Sequence, residues 1–289
     1  MVAWTAMLLT SSLAVIIWRE FALGEPGWWP SVHAVGLVVI FALTFARADL
    51  RPLRGFVLVL LVLFLLGFGG GWNWGLIPLV RLSQPWLDWT SRVPWAISSM
   101  AVHLLRLTPA LAILIVLLLL GRRRGDLFLV KGDIGAPVEP SRLLGMKKPE
   151  PWTRIGSIFA AIFCVGMLCF LLFSVRPTFE ELLKALPLIP IAVVIAAVNA
   201  FNEEFILRAA PLSELSPVVG KRQALMVTTF LFGVGHFYGV PNGLIGVLLA
   251  GFLGWFLGKS LLETGGFFWA WLIHFLQDVI IFTFYAMYA

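Results

Sequence analysis

The chain has 289 residues, 60% of them hydrophobic and 12% charged, with a mean hydropathy of +0.96 and a formal net charge of +6. This composition excludes a water-soluble domain and describes a polytopic membrane protein, because most side chains need a bilayer as solvent. The positive balance marks no nucleic-acid surface: the bases flank apolar runs, no basic patch outside them carries interleaved aromatics, and membrane orientation accounts for the charge.

In chain order, the first apolar run extends from Met1 to about Trp18 with no Lys or Arg before it. That favours a retained helix over a signal peptide, although Ala22-Leu23-Gly24 has the small residues that cleavage accepts. Runs at about Ser31 to Ala46 and Leu53 to Gly70 are each close to the ~20 residues that span a hydrocarbon core. From Gly71 to about Pro94 the sequence is rich in Trp, Pro and Gly, which reads as an interfacial loop with a short amphipathic helix. The next helix runs from Pro94 to Leu120. Arg106 and Pro109 limit its embedded part to the residues after Leu107, so His103 and Arg106 are read as interfacial.

Residues 121–154 form a long polar connection with eight Lys or Arg against four acids, and are placed in the cytoplasm. They separate an N-terminal part, 1–120, with four helices and no assigned role, from a C-terminal part, 155–289. In the latter, helices are expected at about Ile155–Val175, Leu186–Ala209, Gln223–Tyr238, Gly243–Leu261 and Phe267–Tyr288. The predicted fold is an all-α polytopic transmembrane bundle of about nine helices, integral to the membrane, with the N-terminus and the 121–154 loop cytoplasmic. Cys164 and Cys169 lie five apart on one helix and point to different faces, which argues against a mutual disulfide.

The chemistry gathers in the C-terminal part. Asn202-Glu203-Glu204-Phe205-Ile206-Leu207-Arg208 puts two carboxylates and a guanidinium in a membrane helix. Each such charge near the bilayer centre costs roughly 2.5–3.5 kcal/mol, so residues kept there usually face a polar cavity. Glu204 and Arg208, four apart, share a face and pair. Glu203 points elsewhere without an intrahelical partner, as a base would, although both glutamates also fit a purely structural ion-pair network. His236 ends an apolar helix behind Gly233 and Gly235, which leave room for a backbone or a substrate. His274 and Asp278, four apart on the last helix, let the carboxylate orient the ring. Between them Gly246, Ala250, Gly254 and Gly258 form a small-residue ridge for tight helix packing.

Glu-Glu-x-x-x-Arg, Phe-x-x-x-His and His-x-x-x-Asp on successive membrane helices, in this order, resemble the CPBP family of CAAX proteases and bacteriocin-processing proteins, a family of intramembrane endopeptidases. The match covers about residues 155–289. The resemblance implies that Glu203 and His236 activate a water for attack on a peptide carbonyl, that His274 and Asp278 complete the site opposite, and that Glu204 and Arg208 support it. The implied partners are the lipid bilayer and a peptide or protein substrate, lipid-modified or membrane-anchored. Family members often carry Asn at the position of Asp278, so this Asp must orient His274, be protonated or bind metal. Glu203, His236, His274 and Asp278 are acceptable zinc ligands by type, yet no His-Glu-x-x-His helix is present and a glutamate-activated water needs no metal; the cofactor stays open. Two other functions compete: an inactive relative serving as an immunity or scaffold protein, and an ion-coupled transporter, which the absence of repeats disfavours.

One expectation conflicts with straight helices. Glu203 lies about seven residues from the expected cytoplasmic turn and His236 about fourteen, a mismatch in depth of roughly 10 Å at 1.5 Å per residue. A re-entrant or interfacial turn over Pro211 to Gly220 is expected to remove it.

Overall fold

The computed structural model describes residues 1–22, 24–67 and 74–288. Leu23 of the cleavage-like sequence, the expected helix end at 68–70 and the first residues of the expected interfacial loop, 71–73, lie outside the described residues.

The architecture is a polytopic helical bundle. Helices α1 (Val2–Thr10) and α2 (Leu13–Ile16), the latter continued by a π turn over Ile17–Phe21, form a pair bent by 55°. They precede α3 (Trp29–Ala46) and α4 (Arg54–Leu66). The Trp-rich stretch forms two short helices, α5 (Leu76–Arg81) and α6 (Gln84–Thr90), before α7 (Trp95–Leu119). A two-residue antiparallel pair, β1 (Pro137–Val138) with β2 (Glu150–Pro151), closes the polar connection. The C-terminal part holds α8 (Trp152–Val175), α9 (Phe179–Ala185), α10 (Ile189–Glu204), α11 (Ala210–Val219), α12 (Lys221–Gly235), α13 (Gly243–Thr264) and α14 (Phe268–Ala286).

Each of the nine expected segments is helical over most of its described length. Among the described residues, however, six helical runs are long and apolar enough to cross a membrane, or seven with the bent pair. The difference from nine rests on α4 and α12, with 13 and 15 residues. At 1.5 Å per residue these reach about 20 Å, short of a ~30 Å hydrocarbon core. The outward faces carry exposed Val32, Val35 and Val39 on α3 and Ile158, Val165 and Phe173 on α8, a pattern for lipid and not for water. One apolar core joins the two parts of the chain, with Met7, Phe56, Leu60 and Phe64 packed together with Phe205, Leu212, Phe256 and Ile273.

The depth conflict is resolved differently from expectation. Residues 210–219 are helix, not a turn, and continue α10 through a π turn over Phe205–Ala209 into one helical run from Phe179 to Val219. In a straight helix the Pro211 ring would meet the carbonyl of Leu207, four residues back, and the wider turn surrounds that carbonyl. The chain reverses at Gly220, whose φ of 84° favours a residue without a Cβ. Glu203 stands seventeen residues before Gly220 and His236 sixteen after it, so the two arms reach the same depth.

Polar contacts fasten the basic connection to the bundle. Arg122 donates from Nε and Nη2 to the two carboxylate oxygens of Glu214, at 2.6 and 2.9 Å. Trp152 Nε1 donates to Glu263 Oε2 at 2.9 Å, and the backbone amide of Asp133 donates to the carbonyl of Thr264 at 2.8 Å. Gly55 lies so close to the Glu214 carboxylate that any Cβ there would collide with it.

Candidate active site

The reactive side chains come from α10, α12 and α14, with one addition from α7. On α10, Asn199 and Glu203 are a turn apart and share a face, while Glu204 turns about 100° away from Glu203. The π turn begins directly after Glu204 and presents Arg208 to it: the two form a fully buried ion pair, and Arg208 Nε also donates to the bare backbone carbonyl of Gly254 at 3.3 Å. The guanidinium carbon lies 3.5 Å from the ring centroid of Phe232, so this cation has a carboxylate, a carbonyl and an aromatic face as neighbours. Gly254 is part of the small-residue ridge, where a Cβ would stand 3.0 Å from Phe232.

His236 directly follows α12. Its Nδ1 lies 2.8 Å from the carbonyl of Phe232, which can only accept, so Nδ1 carries the proton and Nε2 is the acceptor of the neutral ring. That Nε2 stands 3.8 Å from Glu203 Oε2. His274 Nδ1 lies 2.6 Å from Glu204 Oε1, and its Nε2 is 3.8 Å from Glu203 Oε2 and 3.6 Å from Asp278 Oδ2. Orienting His274 is one of the three roles that the sequence leaves open for Asp278. The hydrogen-bonded carboxylate is instead Glu204, which reaches the ring from a different helix.

Asp278 accepts from Asn199 Nδ2 at 2.9 Å, and the same amide group lies 3.3 Å from Glu203 Oε1. Asn199 therefore stands between two buried carboxylates and offers a hydrogen to each. Arg106 completes the group, with Nη2 3.0 Å from Glu203 Oε1. This corrects the reading of Arg106 as interfacial. Helix α7 is continuous from Trp95 through Pro109 to Leu119, so Arg106 sits inside a membrane-length helix and lines the cavity. His103, also read as interfacial, is buried; its Nδ1 donates to the Ser99 carbonyl and its own carbonyl faces the Asn202 amide at 3.4 Å.

Sequence reasoning missed Asn199 and Arg106. Asn199 had a signal, since it lies four residues before Glu203 on the same helix. Arg106 has one as well, a cation in an apolar run, although Pro109 three residues on reads as a membrane boundary.

These side chains border a cavity of about 700 Å³. Glu203, His236, His274, Asp278, Arg106 and Asn199 supply its polar patch. Ile162, Phe163 and Met167 of α8, Leu249, Phe252 and Leu253 of α13, and Ile281 and Phe282 of α14 supply apolar walls. A Cβ at Gly235 would meet nothing within 4 Å, so the space beside His236 is open. Among the described residues no three His, Cys, Asp or Glu side chains are disposed to hold a metal ion together. Glu203, His236, His274 and Asp278 therefore do not form such a group in this arrangement.

No curated protein and no solved structure matches the chain. A family model described as type II CAAX prenyl endopeptidase Rce1-like matches residues 185–280. The matched stretch, a third of the chain, runs from the end of α9 into α14 and is similar to an Rce1-like domain; Glu203, His236, His274 and Asp278 all lie inside it.

Proposed function

We propose that the protein is an intramembrane endopeptidase that hydrolyses a peptide bond of a membrane-associated substrate with a water activated by Glu203 and His236. One observation carries the reading: Glu203 Oε2 lies 3.8 Å from Nε2 of both His236 and His274, three side chains from three helices. These gaps are too long for direct hydrogen bonds and short enough for one water to touch the carboxylate and a ring nitrogen together. Such a water donates one hydrogen to Glu203 and one to His236, which turns its lone pair toward an entering carbonyl. Glu203 takes the proton as the C–O bond forms and delivers it to the departing amide nitrogen. His274, protonated on both nitrogens, donates Nδ1–H to Glu204 and has Nε2–H for the developing oxyanion. Asn199 and Asp278 hold the far side of this pocket, and Arg106 fixes the Glu203 oxygen that does not face the histidines. No step passes through a metal.

The catalytic core is 155–289, the basic loop is 121–154, and the N-terminal part, 1–120, lends Arg106. The N-terminus and the basic loop are cytoplasmic, and the substrate is a peptide or protein held in the bilayer by a lipid or an apolar segment. A protease reading requires turnover. Partners captured on Glu203→Ala should be cut by the wild-type protein, and Glu203→Gln should lower that rate at least ~100-fold while keeping the fold, since the amide has the size of the base without its basicity. Near-normal cleavage by Glu203→Gln removes the mechanism; a captured partner that the wild type never cuts favours the scaffold function.

A further inference from the structure

Helices α5 and α6 are short and rich in Trp and Leu, and their Leu79, Leu82, Leu87 and Trp89 are exposed. Apolar faces of that kind, with indole rings among them, lie at the level of lipid headgroups. Between these helices and the first turns of α7 is a second pocket, of about 270 Å³, which among the described residues shares no lining side chain with the candidate active-site cavity.

Its lining holds donors that the protein leaves without acceptors. Arg81 at the end of α5, Trp86 on α6 and Ser99 on α7 all border it, and among the described residues the guanidinium, the indole N–H and the hydroxyl have no hydrogen-bond or ion-pair partner. No acidic side chain is in the lining, and the charge that bears on Arg81 is the guanidinium of Arg106, a like charge. Such a set suits phosphate, because a planar guanidinium reaches two of its oxygens at once and the N–H and O–H remain for the others. One lining residue has the opposite need. His103 is buried and donates from Nδ1 to the Ser99 carbonyl, so its Nε2 is an acceptor, and that atom is buried without a donor. A bound group that carries an N–H or O–H beside its phosphate would satisfy it.

We propose that this pocket binds a phosphate group whose substituent carries a hydrogen-bond donor, supplied by a phospholipid with an ethanolamine or glycerol headgroup. The phosphate lies on Arg81, Trp86 and Ser99, the headgroup donor serves His103, and the acyl chains follow the exposed apolar residues of α5 and α6. The phosphate also offsets the repulsion between Arg81 and Arg106. Native mass spectrometry of the full chain, purified in detergent and stripped of lipid, tests the site by titration with phosphatidylethanolamine, phosphatidylglycerol, phosphatidylcholine and inorganic phosphate. One ethanolamine or glycerol lipid should bind the wild type, and Arg81→Gln should weaken it roughly 10-fold or more, the effect of losing hydrogen bonds to a charged group. Trp86→Phe, which keeps an aromatic ring and removes the N–H, should weaken it roughly 3–10-fold. The choline lipid, without a headgroup donor, should bind less tightly than either. Arg92→Gln removes an exposed arginine outside the pocket and should change nothing. Unchanged binding by Arg81→Gln and Trp86→Phe, or an equal loss in Arg92→Gln, overturns the proposal. So does tight binding of the glycerol lipid alone, which would be attraction to net charge. Inorganic phosphate that binds as tightly and displaces the lipid would leave a phosphate site and overturn the lipid as its source.

Discussion

Asp278 sits between an amide and an imidazole, with Asn199 Nδ2 at 2.9 Å and His274 Nε2 at 3.6 Å. An asparagine there would still accept from Asn199 through its carbonyl, and its own amide would turn toward the ring or the oxyanion. Asp278→Asn should therefore keep substantial cleavage, insensitive to chelator. Activity that falls with chelator and returns with Zn²⁺ would restore Asp278 as a ligand. The residues of the candidate site could be grouped because four-residue spacing survives in any helix: Glu204 with Arg208 and His274 with Asp278 could be placed on shared faces from sequence. The contacts between helices were not legible. Nothing in the spacing says that His274 is hydrogen-bonded to Glu204, seventy positions away, or that Glu203 has a cation from α7.

At the scale of helices, α12 and α13 meet backbone to backbone at Gly233. A Cβ added at Gly233 would lie 2.9 Å from the Val247 carbonyl oxygen and 3.1 Å from Gly251 Cα, both backbone atoms that cannot yield separately. At Gly251 the nearest such atom, Gly233 Cα, is 4.0 Å away. Gly233→Ala should then cost about 1–3 kcal/mol through overpacking, and Gly251→Ala little. Thermal unfolding of the two variants in detergent makes the comparison; equal melting would mean that α12 and α13 are not locked at this crossing. Gly233 was legible in the sequence as a place where a backbone could come close, but its partner Gly251 stands outside the small-residue ridge of Gly246, Ala250, Gly254 and Gly258. The reversal was harder to find because Pro211 usually ends a helix, whereas here a π turn accommodates it and the helix continues to Val219.

Over the whole molecule, Arg106 joins the N-terminal part to Glu203, the proposed base, across 97 positions of sequence. A hydrogen bond to a charged group contributes about 1.5–3 kcal/mol, so Arg106→Gln should lower turnover roughly 10–100-fold per folded molecule. Wild-type turnover by Arg106→Gln would show that the cation does not act on the base. The contact also limits how such a site can be inherited or rebuilt. Residues 185–280, transplanted onto a different set of N-terminal helices, would carry every motif and still leave Glu203 without its arginine. A working graft needs a guanidinium supplied at the same depth by its new neighbour, so the unit that can be exchanged between proteins is the motif-bearing segment together with α7.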